Sequence, residues 1–187
     1  MYIQPLRIIV LDRDGVINQD SKNFIREPIQ WKPLPGSLDA IARLYNAGFL
    51  IVVATNQSGV GRGLFSLDTL WDIHKKMLRE VARSGGHIEK IFFCIHAPEN
   101  NCDCRKPAPG MLYQISAAFN CQFDQMTVIG DSARDIYAAR AVGSREILVR
   151  TGNGIDAEVE LANEDGPLIF ADLAAAADAL INEHNIK

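Results

Sequence analysis

The sequence predicts an α/β protein, a parallel sheet carrying helices on both faces in three layers. Three observations lead there. Apolar-rich runs at 8–11, 49–54, 88–93, 126–129 and 146–149 are too short for helices and suit strands buried on both sides. Stretches with helical spacing of apolar residues lie between them. Polar residues suited to chemistry follow the runs: Asp12 and Asp14 after the first, Thr55 after the second, Asp131 after the fourth. The carboxyl ends of parallel strands are where open α/β sheets gather ligands.

Composition narrows the classes of function. A chain of 187 residues fits one domain spanning 1–187 and can bury a substantial core. Its hydrophobic content of 48% and charged content of 22% are ordinary for a globular protein. A net charge of -4 gives no nucleic-acid or membrane footprint, so charge that attracts an anionic substrate must be local. No apolar run reaches the eighteen or so residues of a membrane span. The opening MYIQPLR has no signal-peptide core, so a cytoplasmic location is expected. The protein is expected to act as a monomer on a small molecule.

Taken in order, the first run (IIVL) ends in Asp12-Arg13-Asp14-Gly15. Two carboxylates two residues apart project to one side of an extended chain, although two solvated aspartates in a turn give the same pattern. Residues 18–35 form a long polar loop, a length typical of lids and binding loops. Gly36-Ser37 opens a helix with Leu38, Ile41, Ala42, Leu44 and Tyr45 on one face and Gly48 as its stop. The second run leads into TNQSG, whose hydroxyls and backbone N–H groups can hold phosphate oxygens. Gly59 to Gly63 lacks nucleotide-loop spacing and reads as a flexible loop over the site. Ser66 caps a helix over 67–83, with Leu70, Ile73, Met77, Leu78 and Val81 inward. His74 and His87 read as solvated or structural.

After the third run, Cys94, His96, Cys102 and Cys104 supply four soft ligands within eleven residues, suited to a closed tetrahedral zinc site. In a reducing compartment such clustering favours metal over a disulfide, and a Cys102–Cys104 bridge leaves His96 unexplained. Arg105 and Lys106 follow the last ligand directly. A helix is expected over 111–119, and Cys121 beyond it reads as a buried thiol. The fourth run ends in Asp131, with Asp135 one turn into a helix whose Ile136, Ala139, Ala141 and Val142 pack inward. Residues 150–154 read as a loop. A short strand at 169–170 and a packing helix over 173–181 complete the chain, with no site expected there.

Asp12-x-Asp14-Gly15, Thr55, Lys106 and Gly130-Asp131-x3-Asp135 resemble, in order, the four motifs of the haloacid dehalogenase superfamily of phosphohydrolases. LDRDGVIN, TNQSG, CDCRKPAPGM and GDSARD more narrowly resemble the D-glycero-D-manno-heptose-1,7-bisphosphate 7-phosphatases of nucleotide-activated heptose biosynthesis, relatives of histidinol-phosphate phosphatases. This resemblance implies a Rossmann-like, haloacid dehalogenase-like fold with a zinc-bound loop and a minimal cap. It implies Asp12 as nucleophile, Asp14 as general acid and base, and Thr55 and Lys106 as holders of the transferring oxygens. Magnesium is implied at Asp12, Asp14 (through its carbonyl) and Asp131, with Asp135 in the outer shell. Asp20, Asn56, Gln57, Ser58, Arg62 and Arg105 are the implied substrate contacts, and the zinc is structural. Ser21-Lys22-Asn23 departs from the His-Gly-Tyr found in many relatives.

A sugar bisphosphate favours cations beyond the transferring phosphate, and Arg62, Arg105 and Lys22 are available. Histidinol phosphate favours acids such as Asp20 and Glu27. A polynucleotide 3′-phosphatase needs a basic groove, against the acidic balance. A zinc-stabilised phosphosugar-binding module without turnover leaves the filled catalytic positions unused.

Overall fold

Six parallel strands form one sheet in the order β3-β2-β1-β4-β5-β6 in the computed structural model, which describes residues 6–162 and 166–185. The strands are β1 (Ile8–Leu11), β2 (Leu50–Asn56), β3 (Lys90–Cys94), β4 (Met126–Gly130), β5 (Arg145–Val149) and β6 (Leu168–Phe170). Strand order reverses at β1 and β4, which are neighbours, with Leu11 level with both Val53 and Ile129. Chain crossovers diverge from that point, so a crevice opens at its carboxyl end.

Alternation along the central strands explains the layers. Ile9 and Leu11 of β1 face a core shared with α1 (Ser37–Asn46), α3 (Leu67–Arg83) and α7 (Leu173–Asn185). Ile8 and Val10 point the other way, against α4 (Gly110–Phe119) and α5 (Ala133–Arg140). α6 (Gly154–Glu160) extends that second layer over Leu148. Ser66 caps α3 as expected, its Oγ accepting from the Thr69 N–H at 3.0 Å.

Several expectations are corrected. Gly59 to Gly63 is no open loop: α2 (Ser58–Gly61) is a helical turn. Its glycines serve close packing, since a Cβ on Gly59 would lie 2.3 Å from Phe65 and one on Gly61 2.4 Å from the Ile95 carbonyl oxygen. The long loop after β1 is pinned. Trp31 is fully buried and its indole donates to Asn18 Oδ1 at 2.8 Å, while Lys76 donates to the carbonyls of Pro28 and Trp31. Tyr45 and Leu78 lie on the outer edges of their helices and are exposed. Helix α5 stops at Arg140, leaving Ala141 as an exposed cap. His74 is completely buried, edge-on to Trp71 and Phe93.

Candidate active site

Asp12 leaves β1 at the crevice, its backbone N–H still donating to Ile129 O at 3.0 Å, so sheet pairing itself fixes the first acid. The Arg13 N–H donates to Asp12 Oδ1 at 2.7 Å. Lys106 arrives from the segment after the cysteines and is buried, its ammonium 3.1 Å from Asp12, 2.5 Å from Asp135 and 2.7 Å from the Ala54 carbonyl oxygen. Burial disfavours that charge, yet the two carboxylates outweigh it and hold the Lys106 pKa above its ordinary value. Asn56, at the end of β2, grips the same residue by its backbone: Nδ2 donates to Lys106 O at 3.0 Å and Oδ1 accepts from Lys106 N at 3.1 Å.

Asp14 is held differently. Arg13, itself buried, donates to it through Nε and Nη2 at 2.8–3.1 Å, and Asn18 and Gln57 add bonds of 2.8 and 2.9 Å. Burial raises its pKa, but the guanidinium and the amide donors prevail and hold it below the usual carboxylate range. The Gln57 amide also donates to Thr55 Oγ1 at 2.9 Å, so one side chain spans the acid and the buried hydroxyl.

Asp131 follows β4 and Asp135 sits in the first turn of α5. Carboxylate oxygens of Asp12, Asp131 and Asp135 all lie within 4.8 Å of one another. Burial, then Asp12 and Asp135, push Asp131 up to about 7, and burial pushes Asp135 up to about 6 against the pull of Lys106. Asp131 Oδ1 and Asp135 Oδ2 are buried without a hydrogen-bond partner among the described residues. Three acids crowded in this way, with orphaned oxygens, suit a hard divalent cation. Only glycine fits beside Asp131: a Cβ on Gly15 would lie 1.9 Å from Oδ2 and one on Gly152 2.1 Å from it.

A polar cleft of about 190 Å³ lies over these groups, lined among others by Asp12, Asp14, Asp20, Thr55, Ser58 and Arg105. Phe24, held at a φ of 62°, stands in its wall. Arg134 also lines it, a residue that GDSARD, whose signal is its two acids, gives no local reason to single out. Burial, then Arg134 and more weakly Arg62, lower the Arg105 pKa, and Arg134 shares the cleft lining with it. Arg62 itself does not line the cleft; it is exposed, 3.5 Å from Glu99. The other missed contributors are Thr151 and Asn153, in a loop that seemed empty of function. Thr151 Oγ1 donates to Gly15 O at 2.6 Å, and Asn153 bonds both Asp131 and Asp20.

The cysteine cluster lies just ahead of Lys106. Cys94 Sγ is 3.2 Å from Cys104 Sγ and 3.6 Å from Cys102 Sγ, and His96 Nδ1 is 3.3 Å from Cys104 Sγ and 3.5 Å from Cys94 Sγ. A zinc–thiolate tetrahedron has S···S edges of about 3.8 Å, so the four donors already stand close to that geometry. All four cysteines are free thiols.

Comparison with known proteins places the chain among phosphatases of like architecture. The HAD-hydrolase-like family model matches residues 103–176. A relative from Bordetella bronchiseptica named D-glycero-beta-D-manno-heptose-1,7-bisphosphate 7-phosphatase is 46% identical, over 95% of this chain and 99% of its own. One of the same name from Pseudomonas putida is 46% identical over 94% of this chain and 100% of its own. The crystal structure of D,D-heptose 1,7-bisphosphate phosphatase from B. bronchiseptica, complexed with magnesium and phosphate, has a TM-score of 0.92 at 46% identity, covering 95% of this chain and 99% of that one. The corresponding enzyme from Burkholderia thailandensis has a TM-score of 0.74 at 41% identity, covering 94% and 98%.

Proposed function

The chain belongs to the heptose-1,7-bisphosphate 7-phosphatases among the haloacid dehalogenase-like hydrolases, and from that premise we propose that its cleft removes the 7-phosphate of D-glycero-β-D-manno-heptose 1,7-bisphosphate. The observation that carries the reading is the buried meeting of Asp12, Lys106, Asp131 and Asp135 at the strand-order reversal. The guanidinium groups of Arg105 and Arg134 in the cleft lining suit the second phosphate and repel the cationic end of histidinol phosphate.

Asp12 attacks phosphorus in line, forming an aspartyl phosphate as the bond to the sugar oxygen breaks. Asp14 protonates that departing oxygen and afterwards takes a proton from the water that opens the intermediate. Since the free enzyme holds Asp14 ionised, its acid role needs a proton taken up with the phosphate, whose charge opposes the carboxylate. Thr55 and Lys106 hold the transferring oxygens, and the Lys106 ammonium faces the nucleophile. Asp12, the Asp14 carbonyl and Asp131 hold magnesium, backed by Asp135. That ion, when bound, neutralises phosphate charge so that a carboxylate can approach an anion. The magnesium in the B. bronchiseptica structure supports the choice of metal. Cys94, His96, Cys102 and Cys104 take one structural zinc, which fixes the segment delivering Arg105 and Lys106.

Phosphate release from heptose bisphosphate and from histidinol phosphate, with and without magnesium, tests the reading. Magnesium-dependent release with kcat/KM higher by orders of magnitude on the sugar is expected; equal values refute the assignment. Asp12→Asn retaining turnover while Asp14→Asn abolishes it reverses the two acids.

A further inference from the structure

The loop between β5 and α6 closes over the acids from the far side. The Asn153 backbone N–H donates to Asp131 Oδ2 at 2.8 Å. Its side-chain amide donates to that same oxygen at 3.1 Å and to Asp20 Oδ2 at 3.1 Å. An amide NH2 has two hydrogens, and here one is spent on each acid. Asp20 has one further bond, from the Ser21 N–H at 2.7 Å, and is otherwise an exposed residue at the cleft mouth. Asp131, in contrast, is buried, and its second oxygen has no hydrogen-bond partner among the described residues.

We infer that Asn153 is a positioning residue: it locks Asp131 Oδ2 so that Oδ1 alone is presented to the cation, and it ties Asp20 to the same acid. The inference rests on Asp131 being a magnesium ligand. A carboxylate with both oxygens free can rotate or swing between one- and two-oxygen binding. Two donors on Oδ2, with Gly15 and Gly152 packed against it, remove that freedom. Outer-shell hydrogen bonds of this kind set metal affinity by about 10–100-fold in other proteins. The amide also makes the cation acid and the loop carrying Asp20 move as one body, so the substrate-facing loop inherits the order of the metal site.

The test uses Mn2+ as probe, its binding to protein freed of magnesium but retaining its zinc measured by the loss of the free-ion EPR signal, beside kcat and KM in a magnesium titration. Asn153→Ala keeps the backbone bond and loses both side-chain bonds. Mn2+ affinity is expected to fall about ten-fold, saturating magnesium to restore most of kcat, and KM for the bisphosphate to rise. Asp20→Ala in the parent raises KM without changing Mn2+ affinity, and adds no further rise on top of Asn153→Ala. A folded Asn153→Ala with Mn2+ affinity within about two-fold of the parent, below the usual outer-shell effect, overturns the inference. Should Asn153→Ala misfold, Asn153→Leu, similar in shape and without a donor, carries the same expectation. Asp131→Ala separates the two levels of claim: Mn2+ binding that survives it defeats the magnesium reading, and binding abolished there but intact in Asn153→Ala defeats this inference alone.

Discussion

His74 gives the protein an acid-sensitive core. The ring is fully buried between Trp71 and Phe93, and neither nitrogen has a hydrogen-bond partner among the described residues. Burial, then the positive charge of Arg13, lower its pKa from 6.5 to about 3 in the folded chain, against a weaker opposing pull from Asp14. Below pH 6.5 the unfolded chain therefore takes up a proton that the folded chain refuses, and stability falls as pH drops through that window. Between pH 8 and pH 5 the loss from this one ring is about 2 kcal/mol, and it reaches about 4 kcal/mol at pH 3. His74→Phe keeps an aromatic ring against Trp71 and Phe93 and removes the titration. Urea unfolding followed by tryptophan fluorescence at the two pH values is the assay. The parent is expected to lose about 2 kcal/mol more than the variant on going from pH 8 to pH 5, since every other titrating group is common to both. Equal losses would refute the reasoning, whatever the variant does to stability at pH 8.

Three further outcomes are expected. Gly15→Ala puts a methyl 1.9 Å from Asp131 Oδ2 on a backbone at a φ of +80°, so it should cost about 1–2 kcal/mol of stability from the backbone alone, seen as a lower melting temperature, and remove magnesium-dependent turnover. Asn56→Ala loses both clasps on the Lys106 backbone, and kcat/KM should fall by the equivalent of about 2 kcal/mol, read from initial rates of phosphate release. Metal analysis should find about one zinc per chain, and Cys104→Ser or chelation should lower both the melting temperature and activity together; a zinc-free protein that is folded and fully active would contradict the structural role.

What could be read in advance followed local rules. Strands buried on both faces announce themselves as runs such as IIVL, and the acids that end them need only sequence adjacency to be noticed. The cysteine cluster declared itself by density. What escaped has no local signature. Asn153 meets Asp131 and Asp20 across a fold that brings three remote segments together, and nothing within RTGNG tells this from an ordinary turn. Gly59 and Gly61 looked like flexibility because glycine's other use, letting Phe65 and the Ile95 carbonyl come close, depends on partners the chain does not reveal. Arg13 stood between two acids and drew no notice, although as a fully buried guanidinium it fixes the second of them. Tyr45 and Leu78 sit at the margins of helical stripes, where a small rotation separates core from solvent.

Strand order has a consequence for how the molecule comes into being. As the ribosome delivers the chain, β1 can zip to β2 early, but its opposite flank stays bare until β4, beginning at Met126, has emerged. Asp12 and Lys106 exist by then, while Asp131 and Asp135 travel with or just behind the strand that seals the gap. The acids proposed to hold the cation thus arrive with the strand that covers the bare flank of β1, while the outer edge of β4 waits for β5 and the Asn153 loop that follows it.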